Sequence, residues 1–127
     1  MKVVDASAMV DVLIGNPKAP VLALSLDDDL FAPDLLVPEV LHTLRRLTRD
    51  GWLTEAEADE SAHSLVKVPI EYLHSWPYTE RIWAWRHKMT AYDATYVALA
   101  ADLGATLVTT DLRLARAAEG IVPVIAV

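Results

Sequence analysis

Two rhythms of apolar and polar positions run along this chain, and the switches between them mark its elements. Short β-branched or apolar runs read as strands at Lys2–Val4, at "LFAP", at 106–109 and at the closing "VPVIAV". After a turn at Asp5–Ser7, a helix is predicted to about Ile14, where Gly15, Asn16 and Pro17 stop it. A weaker helix is expected over 18–29, ending in the run Asp27–Asp28–Asp29. "PDLLVPEVLHTLRRLTRDG" predicts a helix opened by Asp34 or Pro38 and closed by Gly51. Leu36, Val40, Leu44 and Leu47 form its apolar stripe, at spacings of four and three.

Thr54 opens "TEAEADESAHSLV", with Glu57 at the capping-box position. Residues 69–76 fit neither rhythm. "PYTERIWAWRHK" reads as helical, with Pro77 in its first turn. "TAYDATYVALAADLG" predicts a strong helix ended by Gly104, and a last helix is expected from about 112 to 118. Strands alternating with helices indicate an α/β domain with a largely parallel sheet, whose ligand side is the carboxyl edge of the strands. No linker, repeat or low-complexity stretch divides it, so residues 1–127 read as one domain.

Composition sharpens this picture. The chain is 54% hydrophobic, yet no apolar run approaches the roughly 20 residues that span a bilayer. The excess suggests a surface buried against another chain. There is no cysteine for a disulfide framework or a thiolate metal site. Lys2 is followed closely by Asp5 with no cleavage pattern, so a cytoplasmic location is expected. The net charge is −7, from 11 basic and 18 acidic residues. So acidic a chain gains little from its overall field in attracting nucleic acid, and such an activity would need a metal in an acidic site plus a local basic patch.

Four acids fall at comparable places in this architecture. Asp5 and Asp111 follow strands, and Glu39 and Asp93 lie in the first turns of helices. Each has a local explanation. Asp5 and Asp111 suit helix N-caps, Glu39 suits the positive end of a helix dipole, and Thr90-x-x-Asp93 matches a capping box. Asp93, however, shares a stripe with Tyr96, Val97 and Ala100, the face expected to pack inward, where a capping acid would not normally sit.

In a parallel unit the strand ends and the next helix starts share one side of the sheet, so all four side chains can converge. Two carboxylates about 4 Å apart repel by roughly 4 kcal/mol at an effective dielectric of 20. A converging group therefore protonates or takes a cation. Oxygen-only donors suit Mg²⁺ or Mn²⁺, which can activate water and stabilise phosphoryl charge. The pair Glu39-x-x-His42 lacks the second motif that a di-iron bundle needs, and His42 reads as an ordinary helix residue. With 4 glycines and no phosphate loop, a nucleotide kinase or dinucleotide oxidoreductase is disfavoured.

"VVDASAMVDVL", "PDLLVPEVLHTLRRL" and "AYDATYVALAADLGATLVTTDLRLARAAEG", in that order, resemble the PIN-domain ribonucleases, specifically VapC-type toxins of toxin–antitoxin systems. The likeness spans essentially the whole chain. It implies an α/β/α sandwich with a mainly parallel sheet, and Asp5, Glu39, Asp93 and Asp111 as catalytic metal ligands for Mg²⁺ or Mn²⁺. Ser7 and either Thr109 or Thr110 match the family's supporting hydroxyls. The implied activity is endonucleolytic RNA cleavage leaving a 5′-phosphate and a 3′-hydroxyl, by a homodimer held inactive by a cognate antitoxin. Many relatives carry a further acid just after the last one, where this chain has Arg113 and Ala115, so one metal site is expected.

Between 72 and 92, aromatic residues mix with cations, and Arg86 and Lys88 are the expected RNA contacts. Apolar residues of the first two helices (Met9, Val10, Leu13, Leu22, Leu26) and the segment Tyr72–Trp85 are the two expected interfaces, one for a second copy and one for an antitoxin helix. An antitoxin arginine would suit the acidic pocket in the ion's place. Two other classes remain open at this point: a receiver-like Mg²⁺-binding signalling domain, and a non-catalytic acidic interaction module.

Overall fold

The computed structural model describes residues 1–127. Five strands, β1 (Lys2–Val4), β2 (Leu30–Pro33), β3 (Ile70–Leu73), β4 (Thr106–Thr109) and β5 (Val124–Ala126), form one sheet in the order β3-β2-β1-β4-β5. Every pairing is parallel, with Val3 opposite Phe31 on one side and Leu107 on the other. Half of the unassigned segment 69–76, Ile70–Leu73, is thus an edge strand. None of its four residues is fully buried, which explains the absence of a clean apolar run there.

The helices are α1 (Ala6–Ile14), α2 (Ala19–Ser25), α3 (Leu36–Arg49), α4 (Glu55–Lys67), α5 (Thr79–Ala84), α6 (Ala91–Leu103) and α7 (Leu112–Ala118). Right-handed crossovers put α1–α4 on one face and α5–α7 on the other. Accordingly α1 packs on α2, α3 and α4, while α6 packs on α5, β1, β2 and β4. The result is an α/β/α sandwich. Strand order steps outward from β1 to β3, then returns to β4 on the other side of β1. The switch point therefore lies between β1 and β4, and in such sheets ligands bind outside the strands' carboxyl ends at that point. A receiver domain has the order 2-1-3-4-5 instead, so the signalling alternative falls on topology.

Inner strands are buried on both faces, and Val3, Val4, Leu107 and Val108 have no exposed surface. Helix α6 is buried at every residue from Asp93 to Ala100. Its alanines (94, 98, 100) let the backbone lie close to the sheet, and this fixes where Asp93 can stand.

Several boundaries differ from the sequence reading. Helix α2 stops at Ser25, and the three aspartates lie in the loop before β2, where Asp28 pairs with the N-terminal amine at 3.0 Å. Neither Asp34 nor Pro38 opens α3, which starts at Leu36 with Pro38 inside its first turn. Pro77 lies in a 3₁₀ turn at Trp76–Tyr78, and α5 ends at Ala84, short of Lys88. Met9, Val10 and Leu22 are core residues, so they offer no surface to a partner. Leu13 and Leu26 are partly buried against the same core. The exposed apolar residues of α2 are instead Val21 and Leu24.

Candidate active site

Asp5 stands where β1 turns into α1, at 4% exposure. Its Oδ1 accepts from the Ala8 amide at 2.9 Å, so the capping role is real. It also receives two hydroxyls: Ser7 Oγ, 2.8 Å from Oδ1 and 2.9 Å from Oδ2, and Thr109 Oγ1, 2.6 Å from Oδ2. Burial dominates over these donors and pushes the Asp5 carboxyl up to about 6, with the Asp111 charge adding to the rise.

Thr109, fully buried, joins the two strand-end acids. Its Oγ1 accepts from the Asp111 amide at 2.9 Å while its hydroxyl donates to Asp5. Thr110 takes part through its backbone, whose N–H donates to Ser7 Oγ at 3.1 Å. The side-chain hydroxyls that reach Asp5 are thus those of Ser7 and Thr109. Asp111 caps α7 through Oδ1, 2.9 Å from the Arg113 amide and 3.3 Å from the Leu114 amide, which leaves Oδ2 free for other work.

Asp93 does not complete a capping box. Thr90 Oγ1 accepts from the Asp93 amide at 3.1 Å, but the Asp93 carboxylate turns away to Arg113. Arg113 bridges two acids, donating through Nη1 to Asp93 Oδ2 and through Nη2 to Asp111 Oδ2 at 3.2 Å. The Asp93 hydrogen bond, followed by the charges of both acids, pushes the guanidinium further up from its already high pKa. Glu39, half-buried in the first turn of α3, accepts from the buried Tyr96 hydroxyl at 2.6 Å. Desolvation, then that bond, holds Tyr96 far above the ordinary phenol range.

As the side chains stand, no three carboxylates are arranged to hold one ion. Asp93 and Asp111 face Arg113, and Glu39 faces Tyr96. The donor set still fits a hard divalent cation. It is all oxygen, it includes a buried acid whose carboxyl burial raises to about 6, and two of its carboxylates already take a cationic group between them. His42 is exposed on α3, outside the site. Sequence reasoning placed Tyr96 only on the inward stripe of its helix and gave the Arg113 side chain no role. The position of Arg113 two residues after Asp111 was the available signal, read only as a missing acid.

Arg86 and Lys88 are exposed, and Arg86 lies over the Trp83 ring at 4.6 Å. Beside them an open groove of about 840 Å³ is lined by Trp76, Trp83, Tyr92, Leu35 and Pro38, among others.

The family model for the PIN domain matches residues 2–120, and the chain belongs to that family. Within the family it falls in the VapC group. It is 40% identical over 118 residues to ribonuclease VapC1 of Mycobacterium tuberculosis, covering 91% of this chain and 89% of that one. Its fold is similar to that of PAE2754 from Pyrobaculum aerophilum, with a TM-score of 0.74 at 24% identity over 97% of this chain and 81% of the other. It also resembles VapBC2 from Rickettsia felis, solved bound to a DNA fragment from their promoter, with a TM-score of 0.66 at 14% identity, covering 98% and 97% of the two chains.

Proposed function

We propose that this single domain, residues 1–127, is a metal-dependent endoribonuclease acting as the toxin of a type II toxin–antitoxin pair. The observation that carries the reading is the linked carboxylate system at the β1/β4 switch point: Asp5 tied to Asp111 through Thr109, and Asp111 tied to Asp93 through Arg113. The 40% identity to a ribonuclease supports the same activity here. Asp5, Glu39, Asp93 and Asp111 would hold Mg²⁺ or Mn²⁺. When bound, the ion supplies positive charge for a phosphoryl oxygen and a more acidic water.

The chain's own groups do the positioning. Ser7 and Thr109 fix the Asp5 carboxylate, Tyr96 fixes Glu39, and the buried face of α6 fixes Asp93. Arg86 and Lys88 contact RNA phosphates. Cleavage leaves a 5′-phosphate and a 3′-hydroxyl.

Partners follow from likeness to VapBC2 and from exposed apolar surface. Either the Trp76–Trp83–Tyr92 groove or the Val21–Leu24 side of α2 joins two copies, and the other takes an antitoxin helix. No helix is long and apolar enough to cross a membrane, and the cytoplasm, where RNA is the available substrate, is the proposed site of action. The purified chain should cleave RNA with Mg²⁺ or Mn²⁺ and stop on adding EDTA or the product of the neighbouring small gene. Cleavage that persists in EDTA overturns the mechanism.

A further inference from the structure

Of the 11 basic residues in this acidic chain, four line a single cleft. Arg86 and Lys88 come from the turn between α5 and α6, and Arg113 and Arg116 come from α7. His87 adds an imidazole, and no carboxylate lines the cleft, which measures about 650 Å³. The two segments are distant in sequence and meet only through the fold. Arg86, Lys88 and Arg116 are exposed, and no side-chain ion pair neutralises any of them. Arg113 is the inner wall. It lines the cleft and also touches Asp93 and Asp111.

A cluster of unpaired cations is costly in self-repulsion, and in a chain of net charge −7 it is not a by-product of composition. We infer that this cleft seats consecutive phosphates of the RNA strand next to the scissile bond, with Arg86, Lys88 and Arg116 as sequence-independent backbone contacts and Arg113 as the hand-over to the carboxylates. The inference rests on the ribonuclease reading and deepens it. A polyanion is the ligand that matches several cations without a carboxylate among them. RNA is favoured over an acidic peptide because Arg113 is shared between the cleft and the acid site.

The test uses the full chain in EDTA, where cleavage is halted, with a fluorescein-labelled single-stranded oligoribonucleotide read by anisotropy across salt concentrations. The substitutions Lys88→Gln and Arg116→Gln touch no carboxylate. Each should raise Kd several-fold and lower the slope of log affinity against log salt by about 0.7, with the double variant losing both contributions. Arg45→Gln, in a separate cavity with Glu55 and Asp59, should change neither. Unaltered melting temperatures establish that the variants fold. A double variant with wild-type affinity and salt slope overturns the cleft, even if metal-dependent cleavage is intact. RNA binding retained with antitoxin binding lost overturns it too, in favour of an acidic protein segment. A wild-type chain that fails to cleave RNA under any metal condition overturns the ribonuclease reading separately.

Discussion

Arg113 of α7 donates to Asp93 of α6, and with its other arm to Asp111, so one exposed guanidinium bridges two of the four acids. On the proposed metal-ligand reading it would compete with a divalent ion for the same oxygens. Arg113→Gln should therefore bind Mn²⁺ more tightly than wild type by calorimetry. Its melting temperature without metal should fall, because Asp93 and Asp111 then repel unscreened. Equal or weaker Mn²⁺ binding in the variant would show that the arginine is no competitor.

Asp5 makes stability depend on pH in a definite direction. Its carboxyl is raised from 3.8 to about 6 on folding, so the unfolded chain holds the charged form more readily. The folded state is favoured fully below pH 4, and that advantage disappears as pH rises to 6. Roughly two units for a buried group correspond to about 3 kcal/mol. Metal-free protein should melt at lower temperature at pH 7 than the other acids alone would give. Asp5→Asn, which keeps a good N-cap, should flatten the change between pH 4 and 6. An unchanged pH profile in the variant would contradict this.

Asp93 and Thr90 can be separated. Thr90 caps α6 through its hydroxyl, and Asp93 contributes only its amide to that cap. Thr90→Ala should cost about 1 kcal/mol of stability. Asp93→Asn should abolish cleavage while the fold survives, since the capping amide remains. Paired melting and cleavage measurements decide it; a destabilised but active Asp93→Asn would reverse the assignment.

Tyr96→Phe removes the one side-chain donor that Glu39 has. The ring still fills its buried site, so the loss should appear mainly in kcat, by about tenfold, the equivalent of some 1.4 kcal/mol of positioning. Stability should shift less. Wild-type kcat would mean that Glu39 needs no help from Tyr96.

The placement of the four acids was legible because a parallel sheet puts strand ends and helix starts on one edge, and position in the chain alone carries that information. Four of the five strands followed from the same alternation, whereas the edge strand β3 carried no such pattern and the strand order had no local signal. What escaped is equally physical. An aromatic run such as 77–88 has helical spacing, but Trp85 to Lys88 form turns that bring Arg86 and Lys88 beside α7. Apolar stripes on α1 read as spare surface because sequence does not reveal that four helices share that face. Arg113 escaped because its role depends on contact with Asp93, 20 residues away, rather than on any local pattern.

Helix α6 has one more consequence. Its stretch from Asp93 to Ala100 has no face in water, so its amides should exchange with deuterium only when the whole domain opens. The half of the site carried by α6 is held by the core, whereas Arg113 stands 64% exposed at its rim. Rotation of that one side chain, a nanosecond motion, would be enough to uncover Asp93 and Asp111, and heating should extinguish cleavage and native exchange protection at one temperature.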